Sequence, residues 1–235
     1  MGQFGEAVLA AFHLIGSGDP ELLAIVALSL RVSLSAVLLA SLIGLPLGAA
    51  LALFRFPGRG ALVVFVNAMM GLPPVVVGLS VYLLLSRAGP LGEFGILFTP
   101  SAMIVAQTVL VVPIIAALTR QSVADLHGEY REQLQSLGVG PLRAIPTLLW
   151  DARFTLVTAV LAGFGRAAAE VGAVLIVGGN IRGVTRVMTT AITLETSKGD
   201  LALALGLGLI LLVIVIGVNA ALGVVQASGR RAAAL

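Results

Sequence analysis

Cysteine is absent from the 235 residues, which excludes disulfides, thiolate metal sites and a cysteine nucleophile. Histidine occurs twice. His13 and His127 each stand without a second histidine at metal-ligand spacing, so each is read as a surface side chain rather than a ligand. Charge is scarce, at 11% of residues. The fourteen basic residues include a single lysine, Lys198, and exceed the eleven acidic ones only slightly. That margin, with the arginines placed at the ends of apolar runs, argues against nucleic acid as a partner despite a sequence pI near 10.2. No GxxxxGK[ST] phosphate loop, no HExxH, no paired aspartates and no Ser–His combination occur at membrane depth, so the chain is not expected to be an enzyme. No cofactor site is read in it.

What it has in abundance is apolar surface. Hydrophobic residues make up 59% and the mean hydropathy is +1.10, more than so few charges can cover in water. The fold class expected is an all-α integral membrane protein, with residues 1–235 forming one transmembrane domain. Residues 1–21 are mildly amphipathic. Their first nineteen lack a basic segment and carry Glu6, so no secretory signal is expected. Five stretches are long enough for the roughly 20 helical residues that cross ~30 Å of hydrocarbon: 32–54, 60–86, 94–119, 154–178 and 201–225. Residues 179–200, between the last two, form a polar segment.

The second stretch is interrupted by Gly71-Leu72-Pro73-Pro74. Two prolines remove two amide donors, so an unbroken helix is not expected there. Such a break at membrane depth is tolerated where it is covered by protein or lines a cavity. A packing kink and a segment of a transport path, with Pro73 and Pro74 in it, are both open. In the fourth stretch Arg166 and Glu170 stand four apart, on one face if the helix is continuous. Each charge costs about 2.5–3.5 kcal/mol near the bilayer centre. An ion pair, and a role facing a subunit interface or a wet path, are both consistent with that. Gly178-Gly179-Asn180-Ile181-Arg182-Gly183 follows, readable either as a helix C-cap or as a nest of amide donors for an oxyanion.

Residues 125–153 are different in kind. They mix charge with apolar residues between two hydrophobic blocks. Tyr130, Leu134 and Leu137 fall at i, i+4, i+7, which predicts a helix over about 129–137 with Glu132 on another face. Gly138-Val139-Gly140 ends it, and Pro141 suits the first position of a second helix carrying Leu142, Ile145 and Leu149. A short helix–turn–helix at the membrane surface is predicted. If it is cytoplasmic, Arg55, Arg59, Arg120, Arg131, Arg143, Arg153, Arg230 and Arg231 lie inside. Arg87, Arg182, Arg186 and Lys198 then lie outside, with Arg31 near the border. The bias obeys the positive-inside rule and sets the N-terminus outside and the C-terminus in the cytoplasm.

This stretch resembles the cytoplasmic loop of the permease subunits of ATP-binding-cassette importers. Glu132-Gln133-Leu134, three residues and Gly138 match its Glu-Ala-Ala-x-x-x-Gly opening. Trp150 and Asp151 depart from its Leu-Pro ending. Residues 72–78, LPPVVVG, and the run of Glu170, Gly172 and Ala173 resemble molybdate- and tungstate-type permeases, with Ala169 replacing a glycine. Together with VGGNIRG these runs make the tungstate-type permease the more specific likeness. The resemblance implies a multi-pass subunit of the cell membrane working as a homodimer, with two cytoplasmic ATP-binding subunits and an extracytoplasmic substrate-binding protein. Tyr130, Glu132, Leu134, Leu137 and Gly138 would couple it to the ATPases. Pro73, Pro74, Arg166, Glu170, Asn180 and Arg182 would lie along the path of an oxyanion such as tungstate, molybdate or sulfate. A secondary transporter or channel would share broken helices and intramembrane charge, but no repeat between halves is visible.

Overall fold

Asp19-Pro20-Glu21 is a helix start written in sequence. In the computed structural model, which describes residues 8, 9, 12, 13 and 16–233, the Asp19 carboxylate accepts the amide of Leu22 at 2.9 Å. Pro20 then opens α1, Pro20–Leu53. The helix begins twelve residues before the predicted span, because this cap sits upstream of the uncharged run. At 1.5 Å per residue it is ~51 Å long, well beyond the hydrocarbon thickness. The expected amphipathic character of residues 1–21 falls largely outside the described residues.

The other elements are α2 (Arg59–Met69), α3 (Pro74–Leu85), a 3-10 turn at Gly92–Phe94, α4 (Pro100–Glu129), α5 (Arg131–Ser136) and α6 (Pro141–Asp151). They continue with α7 (Arg153–Ala168), α8 (Gly172–Gly178), α9 (Met188–Lys198) and α10 (Leu201–Ala233). No strand occurs among the described residues. Pro20–Leu53, Pro100–Glu129 and Leu201–Ala221 are each long and apolar enough to cross a membrane, and two bent helix pairs bring the total to as many as five. The protein is an all-α membrane protein with a helix–turn–helix of its own between α4 and α7.

Two sequence expectations need correction here. Residues 179–200 are not simply a polar connection, since α9 occupies half of them. Thr189, Thr190 and Glu195 on it are buried, whereas Thr193, Thr196, Ser197 and Lys198 are exposed. The stretch 154–178 is not one helix either: α7 ends at Ala168 and α8 starts at Gly172.

The chain gathers into two compact units, each built from three separate stretches. The first contains Pro73–Gln107, Ala167–Val218 and the part of the chain up to Ala36. Its apolar centre joins Leu22 and Ile25 of α1 to Met188 and Ala191 of α9 and Leu207 of α10. In the same unit α3 and α8 approach so closely that a Cβ on Gly78 would lie 2.7 Å from the Cα of Ala173. Glycine at 78 permits that approach.

The second unit holds Val37–Leu72, Thr108–Arg166 and the chain from Asn219. There Gly48 on α1 is as tightly placed against α4, where an added Cβ would meet the carbonyl of Ala116 and Cβ of Thr119 (2.7 Å). The Arg59 guanidinium at the start of α2 donates to the Leu51 and Ala52 carbonyls at 2.7 and 3.4 Å. A cation there satisfies last-turn carbonyls of α1 and complements the helix dipole.

Candidate functional site

The helix–turn–helix in the second unit is built by a Schellman turn. Gly138 takes φ +65°. The amide of Val139 donates to the Leu134 carbonyl at 2.9 Å, and that of Gly138 to Gln135 at 3.1 Å. Pro141 is the first residue of α6, as its fixed φ suits. Ala144 and Leu148 of α6 are buried with Ala49 and Leu53 of α1 and Val123 of α4. Tyr130, Leu134 and Val139 pack against the same cluster. The predicted stripe therefore divides: Tyr130 and Leu134 hold the elbow to the chain's own core, whereas Leu137 is 75% exposed. Glu132 and Gly138 are exposed as well. Leu142, at the start of α6, is 72% exposed.

α6 and α7 meet at 78°. Arg153 marks the corner. Its Nη1 donates to the Trp150 carbonyl at 2.8 Å, and its guanidinium carbon lies 4.8 Å from the Trp150 ring centre and 4.5 Å from that of Phe154. Stacking between two aromatic faces fixes a cation at the surface, which a lysine would do less well. His127, read from sequence as solvated, is half-buried at the end of α4, and its Nδ1 is enclosed by protein.

The first unit contains the broken-helix centre. Pro73 precedes α3 in an extended conformation and Pro74 is its first residue. α8 begins close by: a Cβ on Gly172 would sit 3.0 Å from Cγ2 of Val75. The interruption at 169–171 leaves the carbonyls of the buried Ala167 and Glu170 without helical partners, and side chains from other helices satisfy them. Gln107 of α4 donates Nε2 to the Ala167 carbonyl at 3.0 Å, and the Glu170 amide donates to the same oxygen at 3.2 Å. Thr189 of α9 donates to the Glu170 carbonyl at 2.8 Å. Glu170 itself is buried, and its Oε1 accepts the Ala173 amide at 3.0 Å. It caps α8. Arg166 stays in the last turn of α7, so Arg166 and Glu170 do not share one continuous helical face, contrary to expectation.

The glycine-rich loop resolves toward a helix cap. Gly179 ends α8 with φ +70°, and Asn180 follows at φ +51°. The Gly179 amide donates to Leu175, and the Ile181 amide to Oγ1 of Thr185 at 3.0 Å, a hydroxyl that in turn donates to the Gly178 carbonyl at 2.5 Å. The amides of Val184, Thr185 and Arg186 all donate to the Ile181 carbonyl. Five amides of the loop thus have intrachain acceptors. Asn180 donates Nδ2 to the Thr190 carbonyl at 3.3 Å. Arg182 turns outward, where its Nε donates to Oε1 of Glu21 at 2.7 Å and a second nitrogen bonds Oε2. That hydrogen bond and the charge of Glu21 hold the guanidinium above its ordinary pKa.

The structure therefore draws Glu170 and Asn180 together through the threonines of α9 and places Arg182 in a separate ionic group. Sequence reasoning missed Gln107, Thr185, Thr189 and Thr190. Gln107 carried a signal, as the lone amide within the apolar part of α4. The threonines carried none, since a threonine-rich segment reads equally well as a loop. No group of three or more acidic or histidine side chains that could hold a metal ion occurs among the described residues.

A broken-helix pair and a helix–turn–helix, in a multi-span chain without a nucleotide motif, are a transporter's components. The family described as binding-protein-dependent transport system inner membrane component matches residues 44–230. This chain belongs to that family. Within it, similar members include a probable anion ABC transporter permease protein of Haloferax volcanii, 44% identical over 204 residues, covering 85% of this chain and 88% of the relative. A tungstate uptake system permease protein of Peptoclostridium acidaminophilum is 39% identical over 200 residues, with the same coverage of 85% and 88%. A molybdenum transport system permease protein of Escherichia coli is 30% identical over 182 residues, 74% of this chain and 79% of the relative. In this permease family the helix–turn–helix of α5 and α6 falls well inside the matched region.

Proposed function

We propose that this permease subunit imports a tetrahedral oxyanion, tungstate first among them, by ATP-driven alternating access. The observation that carries the substrate is the 39–44% identity, over 85% of the chain, to the tungstate and anion permeases. Molybdate and sulfate are the next candidates. ATP hydrolysis belongs to a pair of separate cytoplasmic subunits, and selection among anions to an extracytoplasmic binding protein. No cofactor is needed in this chain.

The outward edge of the elbow, formed by Glu132, Leu137 and Leu142, is the surface offered to the ATPase. Tyr130 and Leu134 transmit its displacement into the core of the second unit. As many as five spans are too few to enclose a solute path, so two copies share one about a two-fold axis. The charge bias supports an N-terminus outside and a C-terminus in the cytoplasm.

ATP-dependent uptake into vesicles holding this chain, its ATPase and its binding protein, read by elemental analysis, tests the proposal. Tungstate accumulating in the presence of excess molybdate supports it. Equal competition by molybdate broadens the substrate to both oxyanions, and preferential sulfate uptake refutes the tungstate assignment.

A further inference from the structure

We infer that a cavity of about 480 Å³ in the first unit, bounded by Arg31, Arg182 and Arg186, is an entry site where a tetrahedral dianion is held before it passes through the spans. The inference rests on the oxyanion reading above for the identity of the ion, but the site is argued from its own geometry.

Arg31 is the sole charge in α1 after Glu21. Ten residues beyond Glu21, it lies ~15 Å along the helix. It is exposed and stands directly before the uncharged run 32–54, where a cation can meet an ion arriving at the mouth of the spans. Arg186 supplies the second observation. Its side chain is 15% exposed, and its Nη1 is 3.9 Å from Oε1 of Glu21 and 3.9 Å from Oε1 of Glu195. Those distances give attraction without hydrogen bonds. Its Nε is buried and has no protein acceptor. A buried donor without an acceptor is unfavourable, and an anion in the cavity would supply one.

The charges around the cavity suit a dianion. Arg31, Arg182 and Arg186 line it together with Glu21. Glu195, which contacts Arg186, also holds Lys198 at 3.0 Å. Four cations against two carboxylates leave two positive charges. Arg182 is engaged by both oxygens of Glu21, so Arg31 and Arg186 are the residues with donors to offer. The volume admits a hydrated ion rather than a stripped one, which gives weak binding, as a site that must release its ion toward the path requires.

The test uses the permease–ATPase complex, with and without binding protein. Arg31→Gln is the first variant, because Arg31 has no ion-pair partner among the described residues and its loss leaves the Glu21 and Glu195 pairs in place. Arg186→Lys is the second, keeping the charge but removing the fork. Without binding protein, tungstate or sulfate should raise the melting temperature of the wild type beyond chloride at equal ionic strength. The anion concentration giving half the effect should rise about tenfold or more in either variant, as expected for loss of a charge-assisted hydrogen bond. Equal shifts in wild type and variants, or equal shifts with chloride, would overturn the site. So would uptake by Arg31→Gln that excess binding protein restores in full, which would make this a docking surface for that protein. A wild type that binds tungstate here yet imports no oxyanion supports the site and defeats the import reading instead.

Discussion

Gln107 donates its side-chain amide to the carbonyl of Ala167, 60 residues away in sequence, at 3.0 Å, and so closes the open end of α7 from a different helix. Replacing it with methionine keeps the bulk and removes the donor. We expect destabilisation of about 1–2 kcal/mol, since a carbonyl loses one of two partners where water does not reach. A lower melting temperature of the purified complex, with the ATPase still bound, would bear this out. An unchanged melting temperature would show that the Glu170 amide satisfies that oxygen alone.

Gly78→Ala tests the contact between α3 and α8. The new methyl would lie 2.7 Å from Cα and 3.2 Å from the carbonyl oxygen of Ala173, both backbone atoms that yield only if a helix moves. A loss of about 1–3 kcal/mol is expected from overpacking. Gly165→Ala, where nothing lies within 4 Å of the added carbon, is the matched control and should be close to neutral.

At Gly138 the space is open, with nothing within 4 Å, so only the left-handed backbone resists a side chain. Gly138→Val should cost about 1–2 kcal/mol, concentrated in the turn between α5 and α6. Gly138→Asn should recover most of it, because asparagine tolerates that conformation. Faster amide exchange confined to residues 131–141 in the valine variant is the measurement. Exchange spread evenly through the chain would contradict it.

The two sides of α5 should separate stability from coupling. Leu134→Ala removes apolar contact with the core cluster and should destabilise by about 1–2 kcal/mol. Leu137→Ala, on a side chain in solvent, should shift stability by no more than about 0.5 kcal/mol while weakening capture of the ATPase. Glu132→Arg should uncouple ATP hydrolysis from uptake. A Leu137→Ala complex that assembles and transports normally would remove Leu137 from the docking surface.

How much of this was legible beforehand depends on whether the cause was local. The break before α3 follows from Pro73 and Pro74, and the turn before α6 from Gly138 and Pro141, each acting through its own backbone. Both were readable. The interruption at 169–171 has no such cause, since Ala167, Ala168 and Ala169 favour helix. Its freed carbonyls are met by Gln107 and Thr189, from distant parts of the chain, and a linear pattern cannot display that. The same holds for α9, whose Thr189 hydroxyl reaches the Glu170 carbonyl and whose Thr190 carbonyl accepts from Asn180. Tyr130, Leu134 and Leu137 read as one apolar stripe but divide in the structure, because periodicity does not say whether such a face meets a partner or the chain's own core. Tyr130 and Leu134 meet the core.

The corner between α6 and α7 has a use apart from mechanics. Trp150 is the single tryptophan of the chain, it is 68% exposed, and the Arg153 guanidinium lies over its ring. The chain thus carries one native fluorophore, on the same helix as Leu142 of the surface assigned to the ATPase. A shift of its emission toward shorter wavelength when an ATPase lacking tryptophan is added would report engagement of the elbow in real time, on unlabelled protein.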